Sequence, residues 1–102
     1  MVLLNTTFHV HNSVVQAFIS WVQETYIPCA TASGHFTDPI VSRILIDSDP
    51  EGTSYAVQLR AASYDDASRW HDTEASLLKE KLGKQYGERI LHFTTFMEII
   101  NS

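Results

Sequence analysis

LLNTTFHVHNS, Leu3–Ser13, and LHFTTFMEII, Leu91–Ile100, both alternate, and each sets a Thr-Thr pair beside a phenylalanine. In an extended strand successive side chains point to opposite faces. Leu4, Thr6 and Phe8 therefore share one side of the first stretch, and Asn5, Thr7 and His9 share the other. One side is apolar enough to pack and the other is polar, so the strand should belong to a sheet covered on one face only. The first strand is expected over Val2–Val10 and the last over Arg89–Ile100.

Working outward, HNSVVQ places Ser13 and Gln16 at the spacing of a capping box, with Ser13 as the N-cap. Val15, Phe18, Val22 and Tyr26 follow three and four residues apart, the stripe of an amphipathic helix with Trp21 on its flank. Pro28 is expected to kink or end that helix, since it has no backbone donor. CATASGHF is then a short broken continuation closed by Gly34. DPIVSRILI, from Asp38, reads as a second strand and SYAVQLRA, from Ser54, as a third, joined by the turn DSDPEGTS. Ser63 opens a second helix, with Asp65 and Asp66 against the positive end of its dipole. Ala67, Trp70, Leu77, Leu78 and Leu82 form its expected buried side, and Gly83 or Gly87 ends it.

The order β-α-β-β-α-β predicts an α+β, ferredoxin-like sandwich: a four-stranded antiparallel sheet with both helices on one face. The length of 102 residues predicts one domain, 1–102. The helix-covered face is assigned Leu4, Phe8, Val10, Ile40, Ile44, Ile46, Val57, Leu59, Phe93 and Met97. The open face is assigned Asn5, Thr7, His9, Arg43, Leu45, Ala56, Gln58, Arg60, His92, Thr94, Phe96 and Glu98.

A net charge of −5, with only seven Lys and Arg, argues against nucleic acid and anionic membranes as partners. MVLLNTT has no basic leader and no apolar run reaches membrane length, so neither signal peptide nor anchor is expected. The single cysteine, Cys29, permits no internal disulfide and fits a reducing, cytoplasmic setting.

At this point NTT in strand one, SYAVQ in strand three and YGERILHFTTFMEII in strand four resemble the small bacterial family DUF4286, a domain of unknown function. The resemblance covers essentially the whole chain. It implies membership of the dimeric α+β barrel group, in which two ferredoxin-like sheets pack face to face. A homodimer through the helix-free sheet face follows, with Val41, Leu45 and Phe96 packing across it. The group includes monooxygenases, isomerases and sensing modules, and the fold itself selects none of them.

Two functions are carried forward. The first is a dimeric binding or interaction module whose polar face takes a small polar ligand through Asn5, Thr7, Gln58, Arg60 and Thr94. The second is a cofactor-independent, monooxygenase- or isomerase-like enzyme on the same face, with Glu98 or His9 as base. In it Arg43 or Arg60 is the competing partner that would hold Glu98 as a structural carboxylate. No cofactor is expected, because no phosphate-binding glycine loop occurs. No metal is expected either. His9 and His11 form a His-x-His pair, yet a third ligand would have to come from His92 or Glu98. Haem-degrading members of the group combine an Asn, a Trp and a His, to which Asn5, Trp70 and His71 are superficially similar. Adjacent helical residues diverge by about 100°, so Trp70 and His71 do not readily share a pocket. Cys29, at a helix end with no basic neighbour in sequence, reads as an inert thiol.

Overall fold

In the computed structural model, which describes residues 1–46 and 49–101, the sheet consists of β1 (Val2–His11), β2 (Phe36–Arg43), β3 (Gly52–Ala61) and β4 (Ile90–Glu98). The spatial order is β2-β3-β1-β4 and every pairing is antiparallel. Two helices connect the strands. The first, α1, comprises Val15–Trp21, a π turn over Val22–Tyr26, and Ile27–Ala32. The second, α2, comprises Tyr64–Trp70, a π turn over His71–Ala75, and Ser76–Tyr86. This is the expected ferredoxin-like α+β arrangement. Asp47 and Ser48 of the expected hairpin turn lie outside the described residues.

Both helices bury their apolar stripes on the side of β1 that carries Leu4, Phe8 and Val10. Phe8, Phe18, Tyr26, Val57 and Leu59 are buried there. Phe8 stacks obliquely on Phe18 at 5.0 Å and edge-on to Tyr26 at 6.0 Å between ring centroids. Trp70 joins Tyr26 at 5.6 Å and Phe36 at 4.9 Å. Such offset aromatic contacts add to the burial of the rings.

Local rules account for several boundaries. The Ser63 hydroxyl accepts a hydrogen bond from the Asp66 N–H at 3.2 Å, the expected cap of α2. Gly87 stands just past its end with a positive φ of 57°. The start of α1 differs from expectation. His11, not Ser13, supplies the cap: its Nδ1 accepts the Ser13 N–H at 3.1 Å and opens a 3₁₀ turn, Asn12–Val14. Pro28 does not end α1. It is the second residue after the π turn, and the helix runs on to Ala32, before Gly34 at φ 81°.

Three assignments of faces are corrected by the pairing. In β4, Ile90, His92, Thr94 and Phe96 stand opposite Val10, Phe8, Thr6 and Leu4, so they lie on the helix side. Leu91, Phe93, Thr95 and Met97 occupy the open side. Glu98, opposite Val2, also belongs to the helix side. Both faces of this strand are partly apolar, so its alternation does not distinguish them. In β2 a bulge between Thr37 and Ile40 adds one residue, with Asp38 at φ 53° and Pro39 after it. Beyond the bulge Ile40 faces open and Val41 and Arg43 face the helices, the reverse of the expected set. Ile44, Leu45 and Ile46 follow the end of the strand. In α2 the π turn rotates everything after it by one residue. Ala75, Lys79 and Leu82 are buried, and Leu77 is exposed.

Candidate functional site

The expected polar face is real but smaller than the sequence suggested. Asn5 pairs in register with Gln58, and Thr7 with Ala56, on the open side of the sheet. Arg60 shares that face. Its Nε lies 3.8 Å from an Asp38 carboxylate oxygen, an ion-pair separation too long for a hydrogen bond. Asn5 Nδ2 donates to Thr7 Oγ1 at 3.3 Å, while Asn5 Oδ1 is buried without a hydrogen-bond partner among the described residues. Thr94 and Glu98 are not with them, because the β4 register sends both to the helix side. Arg43 is on β2, at the opposite edge of the sheet from β4, so it does not reach Glu98.

His9 is held within a hairpin network. Its Nδ1 is 2.8 Å from Ser54 Oγ and its Nε2 is 2.7 Å from Asp49 Oδ2. Asp49 is thereby kept below its ordinary carboxylate pKa, first by the Glu51 N–H and then by His9. Gly52 makes room for this ring, since a Cβ there would stand 2.6 Å from His9 Nε2. His11 is engaged with Ser13, and His92 lies on the other side of the sheet, so neither completes a metal set with His9. Among the described residues no three His, Cys, Asp or Glu side chains gather as metal ligands. The Asn5, Trp70 and His71 set is likewise divided. Asn5 is on the open face, Trp70 is in the core with Nε1 donating to Glu74 at 2.8 Å, and His71 borders a cleft elsewhere. Cys29 Sγ is 3.6 Å from Glu74, and burial, reinforced by that carboxylate, pushes its pKa up.

The cleft at His71 is where unusual chemistry gathers. It lies between α2 and β4, encloses about 500 Å³, and is lined by His71, Asp72, Ser76, Lys79, Glu80 and His92. Lys79 is only 6% exposed. Its Nζ donates to Thr94 Oγ1 at 3.0 Å and to Thr6 Oγ1 at 3.4 Å, and no carboxylate pairs with it among the described residues. Thr6 and Thr94 bond to each other at 3.1 Å across β1 and β4, and Thr6 also meets the Tyr26 hydroxyl at 3.4 Å. A lysine is rarely buried without an acid, because removal from water disfavours its charged form. Burial here brings the Lys79 pKa down to about 8. The same burial raises the Tyr26 phenol to about 12, against a smaller opposing effect of the Thr6 hydrogen bond.

Both histidines of the cleft are pushed below their ordinary pKa, chiefly by burial and then by the neighbouring Lys79 charge. His71 stands edge-on to Phe96 at 5.5 Å, and its buried Nδ1 has no hydrogen-bond partner among the described residues. The arrangement sets an amine that is partly free base near neutral pH, two uncharged imidazoles, the Ser76 hydroxyl and the Asp72 and Glu80 carboxylates around one opening, with the Thr6 and Thr94 hydroxyls behind the amine. Such a set can bind an oxygen-rich small molecule, and it can also move a proton.

Sequence reasoning missed Lys79 and the role of Thr6. A signal for Thr6 was present: it shares the parity of Leu4 and Phe8, a polar residue at a core position. Lys79 had no such signal, because straight helical spacing places Leu78 inward. Leu78 does pack against the core, and the extra residue of the π turn brings the lysine inward beside it.

The fold and the helix-side cleft define an α+β protein of the ferredoxin-like class, with a sheet open on one face. The chain belongs to the DUF4286 family, a domain of unknown function, whose pattern matches residues 1–100. Among solved structures it is similar to HapK from Hahella chejuensis, at 14% identity and a TM-score of 0.68, covering 100% of this chain and 95% of that one. A dimeric ferredoxin-like protein from an uncultured marine organism is 15% identical with a TM-score of 0.63, covering 98% and 96%. A putative antibiotic biosynthesis monooxygenase from Bacillus cereus is 14% identical with a TM-score of 0.60, covering 99% and 96%. At these identities the likeness is one of fold. No curated protein matches the sequence. No helix among the described residues is long and apolar enough to cross a membrane.

Proposed function

We infer that this protein is a homodimeric, cytoplasmic binding module, one domain over its length, that takes a small polar ligand in the cleft between α2 and β4. One observation carries the reading: Lys79 lines the cleft although it is almost fully buried, and among the described residues its Nζ is partnered by the Thr6 and Thr94 hydroxyls and by no carboxylate. A ligand oxygen arriving there gains a charge-assisted hydrogen bond that no acidic side chain already provides.

The open sheet face supports the dimer. Ile40, Leu91 and Phe93 are each more than half exposed on it. The expected interface residues change accordingly, since Phe96 and Val41 lie on the helix side. The similar marine protein is described as dimeric, which agrees with this reading.

A second reading is a cofactor-independent enzyme at the same cleft. It is favoured by an amine that titrates near neutral pH beside two uncharged histidines. Lys79 replaces Glu98 and His9 as the base, because neither of those lines the cleft.

Titration with acetate, pyruvate and glyoxylate, followed by NMR, tests the site. Saturable shifts confined to His71, Lys79, His92 and Thr94 are expected with at least one of them. Shifts confined to Asn5, Gln58 and Arg60 would move the site back to the open face, and no saturable shift anywhere would reject the binding reading.

A further inference from the structure

We propose that Lys79 forms an imine with the carbonyl carbon of a small aldehyde or ketone held in the cleft between α2 and β4, which makes the ligand class an oxo compound. The inference rests on the binding reading above and adds to it a covalent step.

The geometry supplies what that step needs. Lys79 lines an opening of about 500 Å³, large enough for a molecule of a few carbon atoms. Thr94 and Thr6 accept hydrogen bonds from Nζ at 3.0 and 3.4 Å, which positions the nitrogen. Hydroxyls do this without fixing the proton on nitrogen as a carboxylate would. Asp72 and Glu80 also line the cleft, and Glu80 is paired with Lys84 at 3.3 Å. His71 stands with Lys79 on the α2 wall and is half-buried, and His92, which is exposed, faces them from β4.

The chemistry balances without any oxidant or reductant. The lone pair of neutral Nζ attacks the carbonyl carbon, a C–N bond forms, and the carbonyl π pair moves to oxygen. That oxygen takes one proton as nitrogen gives one up, through His71 or His92, leaving a neutral carbinolamine. A second proton on the same oxygen expels it as water, and loss of the remaining N–H proton leaves the C=N bond. The sum is amine plus carbonyl giving imine plus water. Burial supports the first step. With Lys79 lowered from 10.5 to about 8, it presents about 300-fold more free amine at pH 7 than an ordinary lysine.

The test is reduction of the imine in place. The whole protein is incubated at pH 7 with glyoxylate and sodium cyanoborohydride, and peptide mass mapping locates the carboxymethyl group. Modification of Lys79 at least about tenfold faster than of Lys81 and Lys84 is expected. Lys79→Met should abolish that modification, and Lys79→Arg, which retains charge and donors, should abolish it while still binding glyoxylate. Circular dichroism on both variants confirms that they fold, and the wild-type mapping stands if either does not. Glyoxylate binding seen by NMR without adduct at Lys79, or with equal labelling of the exposed lysines, would overturn the imine and leave the binding site intact. Neither binding nor adduct would overturn both.

Discussion

Lys79→Met exchanges a buried amine for an apolar side chain of similar length and leaves Thr6, Thr94 and Tyr26 bonded to one another. In the folded protein Lys79 releases its proton near pH 8, against 10.5 in the ordinary state. Between those values the unfolded chain binds more protons than the folded one, so stability rises with pH through that window. Holding the charged form inside costs about 3.5 kcal/mol below pH 7, from 2.5 pKa units at about 1.4 kcal/mol each. The lost hydrogen bonds to Thr94 and Thr6 offset about 1 kcal/mol of this. The variant should therefore be roughly 2.5 kcal/mol more stable than wild type at pH 7. By pH 9.5 most of the wild-type penalty has been relieved, about 2 kcal/mol of it, and the two proteins should be nearly equal. Tyr26, with its raised pKa, loses stability only above pH 10, and it is common to both proteins. Urea denaturation of both at pH 7 and 9.5 measures the four values. An equal difference at the two pH values, or a variant several kcal/mol less stable at both, would refute the burial of an unpaired amine.

Phe8→Ala empties the centre of the aromatic cluster formed with Phe18 and Tyr26, and should lose about 3–5 kcal/mol in urea denaturation; Gln58→Ala, on the open face, should lose less. Gly52→Ala places a Cβ 2.6 Å from His9 Nε2 and should displace the ring from Asp49 and Ser54, costing about 1–2 kcal/mol and shifting the His9 imidazole resonances. Phe93→Glu puts a carboxylate on the exposed open face of the edge strand β4 and should yield monomer in sedimentation at micromolar concentration; a wild-type protein that is itself monomeric there would remove the dimer.

The sequence by itself determined the element order, the antiparallel sheet, the Ser63 cap and the core faces of β1 and β3. Each rests on local information: a side-chain period of two, a hydroxyl three residues before an N–H, a turn rich in Asp, Pro and Gly. Asn5 and Gln58 were placed together, and Phe8 and Leu59 beneath the helices, on that basis alone. Three further features were decided by tertiary structure, and each shifts a pattern by one residue. The bulge at Asp38 and Pro39 inverts the end of β2. Pairing with β1 sends Thr94 and Glu98 to the helix side, where the two half-apolar faces of β4 left the register ambiguous. The π turn at His71–Ala75 exposes Leu77 and buries Lys79. Periodicity carries no record of an inserted residue, because the insertion is stabilised by packing between elements far apart in the chain. Lys79 and the Thr6–Thr94 pair that holds it come from α2, β1 and β4, and only the folded chain brings them into contact.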